Sequence, residues 1–218
     1  HTPPCSCCFP RPVGLLADHA GNAEFATPEC SKRRAHDAQS IEAGLGILDS
    51  YGLGDLSMRR VADTLGVQAG ALYYHVPNKQ TLLAAVSDVI LTALAEPPSC
   101  EFGHSLASWA RDLRCVLLGH RDAAELVAAT LAVGLGERGP DGPAAQIFRS
   151  AGWPQLDAQR AARAATHFIL GHVMQEQTLQ NLLRVGVLAA PAEALDDAGF
   201  ELGLQLVVKG AGTFREFA

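Results

Sequence analysis

The chain lacks any apolar run long enough to span a membrane, which takes about 20 consecutive residues. Its longest such stretch, Leu126 to Leu135, is far shorter and rich in small residues, so it reads as a buried helix. Val/Ile-rich strand runs, βαβ alternation and internal repeats are also missing, which excludes α/β folds and repeat arrays. The opening HTPPCSCCFPRPVGLLADHA has neither the basic start nor the clear cleavage site of a secretion signal, and a cytoplasmic protein is expected. What is present is a chain of 218 residues, 48% of them apolar, enough for one large core or two modest ones.

An excess of positive charge is absent as well: the formal net charge is −6, which argues against a protein that coats nucleic acid by electrostatics alone. The distribution matters more than the sum. Residues 1–30 carry one Arg against three acids, residues 31–80 six Lys/Arg against five acids, and residues 81–218 ten against fifteen. Only the middle segment is positive, as for a small docking surface attached to an acidic body.

The six cysteines, at 5, 7, 8, 30, 100 and 115, lack the second CxxC-type pair that a four-ligand zinc site uses. They read as unpaired thiols that a reducing cytoplasm keeps unbridged, and no metal or other cofactor is expected. The sharper alternative is a metal- or thiol-responsive regulator joining Cys5, Cys7 and Cys8 to His104, His120 or His172.

Residues 1–34 mix Pro, Gly, Cys and single apolar residues without period and are expected to form a disordered extension. From Asp37 the register turns helical, with Ile41, Leu45 and Leu48 on one stripe that ends at Tyr51-Gly52. In the stretch LSMRRVADTLGVQAGALYYHVPNKQTLL, Met58, Val61, Ala62 and Leu65 make one apolar helix face behind an N-cap at Ser57. Gly66 offers the left-handed stop, and Val67 to Val76 forms a second helix whose Leu72, Tyr73 and Val76 pack back on the first. This is helix-turn-helix geometry, which presents the first turn of its second helix, here Gln68, Ala69, Gly70 and Ala71, to a DNA major groove. Pro77 breaks that helix and Asn78 caps the next, which runs through Leu82, Val86 and Ile90 toward Glu96 and stops at Pro97-Pro98.

Further helices are expected over Leu106 to Leu118, Arg121 to Gly134, Pro143 to Ser150, Leu156 to about Leu183 and about Ala194 to Phe214, separated by Gly and Pro. The fold class is therefore all-α: residues 35–83 as a three-helix reading head and residues 84–218 as a larger helical regulatory body for ligand binding and dimerisation.

Residues Ile41 to Leu91 resemble the DNA-binding domain of the tetracycline-repressor (TetR) family, and GVQAGALYYHVPNK resembles its signature almost position by position. A weaker similarity runs through Trp109 to Gln177, in RDAAELVAAT and HFILGHVMQEQ. The resemblance implies a homodimeric, ligand-responsive transcriptional regulator, a repressor released from a palindromic double-stranded operator by a small molecule. Tyr73, His75 and Lys79 fall where that family grips phosphates; Arg59 and Gln68 fall where it reads bases, Arg on guanine and Gln on adenine. Ala69, Gly70 and Ala71 offer only close approach or methyl contact. A core role is the lesser alternative for Tyr73; Tyr74 is read as packing beside the site, Arg60 as a solvated surface charge, and Arg33 and Arg34 as a basic lead-in.

For the body, the resemblance implies a dimer face built from the long helix (Ala161, Ala165, Phe168, Ile169, His172, Val173, Gln175, Leu179) and the last helix (Leu195, Leu202, Leu206, Val207). It also implies a ligand cavity near Trp109, Leu113, Val127, Thr130, Phe148, Trp153, His167, Phe168, His172 and Gln175, although each taken singly reads as ordinary core. Family members that take tetracycline as a magnesium chelate use a histidine and a partner-chain glutamate where this sequence has Val127 and Gln175, and only Thr130 is retained. That loss favours a metal-free, apolar ligand. Glu176 stands one residue out of register, about 100° of helix rotation.

A remoter alternative is a hydrolase, since GHSLA at Gly103 to Ala107 resembles a degenerate nucleophile elbow. That motif requires a strand-to-helix turn which PPSCEF does not supply. The chain is expected not to be an enzyme.

Overall fold

A computed structural model describes residues 28–189 and 197–214, with side chains from Asp37 onward. Among these residues it has nine α-helices, one 3-10 turn and no strand: α1 (Pro28–Tyr51), the 3-10 turn (Leu53–Asp55), α2 (Met58–Leu65), α3 (Ala69–His75), α4 (Lys79–Leu91), α5 (Phe102–Leu118), α6 (Ala123–Val133), α7 (Asp141–Ser150), α8 (Gln155–Arg184) and α9 (Asp197–Phe214).

Several boundaries differ from the sequence expectation, α5 for example starting at Phe102 rather than Leu106, and two of the differences have a clear cause. Helix α1 begins at Pro28 rather than at Asp37. Proline suits a first helical turn because its missing N–H would be unpaired there anyway, and no Gly or Pro follows until Gly44. Helix α4 stops at Leu91, short of Glu96. There the backbone changes to tighter pairing, Ala93 N to Ile90 O and Leu94 N to Leu91 O, while Thr92 Oγ1 donates to Val89 O. Residues ahead of Pro97-Pro98 are also biased away from helix. The CSCC cluster, most of the proposed extension, the side chains of Cys30, Arg33 and Arg34, and Leu195 lie outside the described residues.

Helices α1 to α3, with α4 packed against them, close over Leu48, Leu56, Val61, Leu72, Leu82 and Val86, all buried. Gly44 lets α1 meet α4 closely: a Cβ there would lie 3.1 Å from Val86 Cγ2. The body packs α5 to α9 around Leu106, Trp109, Leu113, Leu126, Val127, Phe148 and Ile169. Ala158, Ala162 and Ala165 are buried on the long helix α8, small enough for neighbouring helices to approach. Each fully buried Leu or Phe contributes roughly 1.5–3 kcal/mol, so both cores are substantial.

Head and body are joined by polar contacts as well as apolar ones. Thr130 Oγ1 of α6 lies 3.2 Å from Ser87 Oγ of α4 and 2.9 Å from Val127 O. The Asp88 carboxylate of α4 accepts from the backbone N–H groups of Glu137 and Arg138 beyond α6, each at 2.9 Å. At the α5–α6 corner, Asp122 Oδ2 accepts from Leu53 N at 2.8 Å and Oδ1 from Asn181 Nδ2 of α8 at 2.6 Å.

Candidate nucleic-acid interface and the body behind it

The helix-turn-helix is set by its caps. Ser57, extended at φ −133°, accepts from Arg60 N at 3.2 Å and starts α2. Gly66 ends it in the left-handed region, φ 67° and ψ 27°, where a residue with a Cβ is strained. Gln68 follows as the extended N-cap residue of α3, so α3 starts at Ala69 rather than at Val67. Leu72 and Val76 are the anchors that hold α3 against the head core. Asn78 then accepts from Thr81 N at 2.8 Å and opens α4 with Lys79 in its first turn.

These anchors leave most of the residues around them exposed. Arg59 is exposed on α2; Gln68, Ala69, Gly70 and Ala71 are exposed around the start of α3. Tyr73 is 50% and Tyr74 70% exposed, so neither packs into the core, and the packing roles open to them in the sequence give way to surface positions. The reason is periodicity: in so short a helix Leu72 and Val76, four residues apart, take the buried face and turn the residues between them outward. His75 is half-buried, its Nδ1 3.3 Å from Asp37 Oδ1 of α1 and its ring edge-on to Tyr74. Lys79 is partly exposed, and among the described residues neither it nor Arg59 forms an ion pair. Arg60, by contrast, pairs at the surface with Asp55 and lays its guanidinium 3.9 Å over the exposed Tyr51 ring. The head thus offers two cations without an ion pair among the described residues, and small exposed residues at the start of α3.

The body residues divide into three groups. Trp109, Leu113, Val127, Thr130 and Phe148 are buried, and Trp109 Nε1 donates to Pro140 O at 3.1 Å. Trp153, Phe168 and His172 are partly buried: Trp153 meets Phe148 edge-on, and Phe168 stacks on Phe200 at 5.8 Å. His167 and Gln175 are exposed on α8 in the single chain. Glu176, one position on, is the residue turned inward. It accepts from Arg114 Nε and Nη2 at 3.0 Å each and lies 3.0 Å from His172 Nε2. Burial works against the Arg114 charge, but its bonds to Glu176 and Asp197 outweigh that, and the guanidinium's pKa is held above its ordinary value. The long-helix stripe expected to face a second subunit is corrected too: Ala165, Ile169 and Val173 are buried within the chain itself. Ala164, His167, Gly171, Gln175 and Thr178 of α8, with Leu202 and Leu206 of α9, are exposed instead.

The hydrolase alternative fails on position. Gly103, His104 and Ser105 sit in the first turn of α5, capped by Glu101, and the buried Ser105 hydroxyl donates to Pro98 O at 2.8 Å. Backbone hydrogen bonds from Gly103 and His104 hold the Glu101 carboxyl below its usual pKa, as an N-cap carboxylate requires. No group of three or more His, Cys, Asp or Glu side chains suited to a metal occurs among the described residues, and no described helix is long and apolar enough to cross a membrane.

Residues 41–86 match the family described as bacterial regulatory proteins, tetR family, and residues 95–191 match the tetracyclin repressor-like C-terminal domain. The chain belongs to the TetR family. It is 31% identical over 189 residues to the tetracycline repressor protein class A from transposon 1721 of Escherichia coli, covering 78% of this chain and 87% of that one. Among solved structures it resembles Mycobacterium smegmatis BioQ, at 36% identity and a TM-score of 0.75, over 82% of this chain and 98% of that one. It likewise resembles BioQ bound to its double-stranded DNA operator, at 34% identity and a TM-score of 0.68, over the same shares. The chain is thus a ligand-responsive, DNA-binding repressor of transcription, of a family that acts as dimers and consists of regulators rather than enzymes.

The sequence reading missed Asp88, Asp122 and the Arg114–Glu176 pair. An Asp immediately before a helical run, as at Asp122-Ala123, was a usable signal; no local pattern marks the other two, whose partners are about 50 to 60 residues away.

Proposed function

We propose that two copies of the chain place their α3 helices in successive major grooves of a palindromic operator, with centres about 34–36 Å apart. Lys79, Tyr73 and His75 grip phosphates. Arg59 and Gln68 read base edges, and Ala69, Gly70 and Ala71 allow close approach. The observation that supports this reading is the exposure of Arg59, Gln68, Ala69, Gly70, Ala71 and Tyr73, with Arg59 and Lys79 uncommitted to any acid among the described residues. The exposed outer face of α8 with Leu202 and Leu206 of α9 serves as the dimer surface.

The effector is a small, largely apolar, metal-free molecule that enters the body between α5, α7 and α8. Trp153 supports this: its Nε1 is buried without a hydrogen-bond partner among the described residues, beside the aromatic cluster of Phe102 and Phe148. A ligand bearing one acceptor would satisfy that donor while its apolar part displaces packed side chains. Release from DNA follows if the ligand prefers a body whose seam with the head is rearranged.

The experiment is footprinting of the purified chain on the DNA flanking its own gene, followed by a screen of apolar compounds, with and without magnesium, for release. A protected palindrome and magnesium-independent release support the reading. Binding to no flanking sequence defeats the operator model, and release that requires magnesium defeats the metal-free effector.

A further inference from the structure

Helix α1 sets one acid against the end of α3. Ser40 and Leu48 of α1 are buried in the head, and Gly44 between them is where α1 meets Val86 of α4. Asp37 precedes Ser40 by three residues and Gly44 by seven, so it prolongs the same face by one turn. That turn reaches His75, the last residue of α3: Asp37 Oδ1 lies 3.3 Å from His75 Nδ1. Both atoms are shut off from water, although 43% of the Asp37 side chain and 21% of the His75 side chain are exposed.

The imidazole is therefore held rather than left to rotate. The Tyr74 ring, 5.4 Å away and at 87° to it, bounds it on a further side. The two nitrogens of an imidazole occupy different edges, and a carboxylate facing one of them decides which edge is left for another partner. A side chain already fixed before binding spares the ordering cost that a free rotor incurs. A carboxylate near a duplex also repels phosphate. Asp37 thus acts on DNA binding in two ways of opposite sign, and a substitution reads which one dominates.

We propose that Asp37 is a positioning residue for DNA binding: it holds His75 with Nδ1 turned to α1, so that Nε2 is the nitrogen that donates to a backbone phosphate. Asp37 itself does not touch the duplex. The inference rests on the reading of His75 as a phosphate contact. Since phosphate contacts carry no sequence information, Asp37 acts on every duplex alike.

The test is fluorescence anisotropy of the purified full chain, at one salt concentration, on a duplex from the flanks of its own gene and on a scrambled duplex of equal length. His75→Ala should weaken both by about tenfold. Asp37→Ala should weaken both by about two- to tenfold, although it removes a negative charge. Asp37→Asn keeps an acceptor oxygen in the same place without the charge and should bind at least as tightly as the wild type. On a His75→Ala background, Asp37→Ala should cause no further loss. Alanine is a good helix former and Asp37 is partly exposed, so the fold is kept, and circular dichroism verifies it. Unchanged or tighter binding by Asp37→Ala while His75→Ala binds weakly overturns the proposal and leaves the phosphate contact standing. A further loss on the His75→Ala background, or Asp37→Asn as weak as Asp37→Ala, overturns it as well. Wild-type binding to neither duplex, or binding untouched by His75→Ala, defeats the underlying reading and the proposal with it.

Discussion

Asp122 and Gly52 meet so closely that the absence of a side chain on the glycine is part of the contact. A Cβ on Gly52 would stand 2.5 Å from Asp122 Oδ2 and 2.9 Å from Arg121 Nε, and Gly52 itself has φ 91°. Asp122 is the one non-glycine residue of positive φ among the described residues, at 55°. Strained backbone of this kind persists where surrounding bonds over-determine it, and here those bonds tie the α1–α2 turn to the body.

Gly52→Ala should therefore destabilise the chain by about 1–3 kcal/mol, from unfavourable φ and the clash together. Asp122→Ala should cost about 1–3 kcal/mol by stranding Leu53 N and Asn181 Nδ2. Because the two changes remove one junction, the double variant should lose less than the sum in urea unfolding. Strict additivity would show that the junction is not shared.

Lys79 and Gln68 separate positioning from reading. Lys79→Ala should weaken binding to operator and non-operator duplexes alike and reduce the slope of log affinity against log salt by about one per head. Gln68→Ala should leave that slope alone and change base preference at one operator position per half-site. Competition assays at several salt concentrations measure both; matched losses from the two variants would place Gln68 on phosphate.

The head was legible because its signals are local. Ser57, Gly66 and Asn78 declare the ends of α2 and the start of α4 through caps and a left-handed stop, and a four-residue period marks the buried side of each short helix. The body was legible as helices but not as a site. Glu176 follows Ile169 and Val173 at helical spacing and so shares their buried face, where it meets Arg114; a polar residue ending an apolar stripe does not announce the partner that waits for it on another helix. The long-helix stripe misled for a related reason: in a helix with neighbours on several sides, an apolar stripe does not say which neighbour it meets. The early start of α1 and the early end of α4 are boundary effects, decided by a permissive Pro28 and by the restriction ahead of Pro97.

The docking of α9 on α5 should weaken in acid. Glu201 is held below its ordinary pKa chiefly by the side-chain hydrogen bonds from Arg111, at 2.7 Å each, with burial opposing. A depressed carboxylate contributes stability that is complete above the unfolded value, about 4.3, and disappears as pH falls through the lower folded value. The difference in melting temperature between the wild type and Arg111→Gln should thus be present at neutral pH and close once the pH is well below about 4. Both side chains are substantially exposed, so the difference should be small and should shrink in high salt. A gap that persists undiminished in strong acid would assign the contribution to packing of the Arg111 stem.

Arg114 and Glu176 pose the opposite case, a pair with 17% and 8% of the side chains exposed and a bidentate geometry across α5 and α8. Removing one member leaves a buried charge, so Arg114→Met should cost about 3 kcal/mol, the lower end for such pairs because the guanidinium keeps some contact with water. His172 offers only partial relief to the stranded Glu176, being already 3.0 Å from one of its oxygens. Replacing both, as Arg114→Met with Glu176→Leu, should recover most of the loss, since matched apolar side chains carry no desolvation cost. Denaturant midpoints of the two variants decide the matter. A double variant no more stable than Arg114→Met would mean that the salt bridge itself, rather than the avoidance of an unpaired charge, holds α5 to α8.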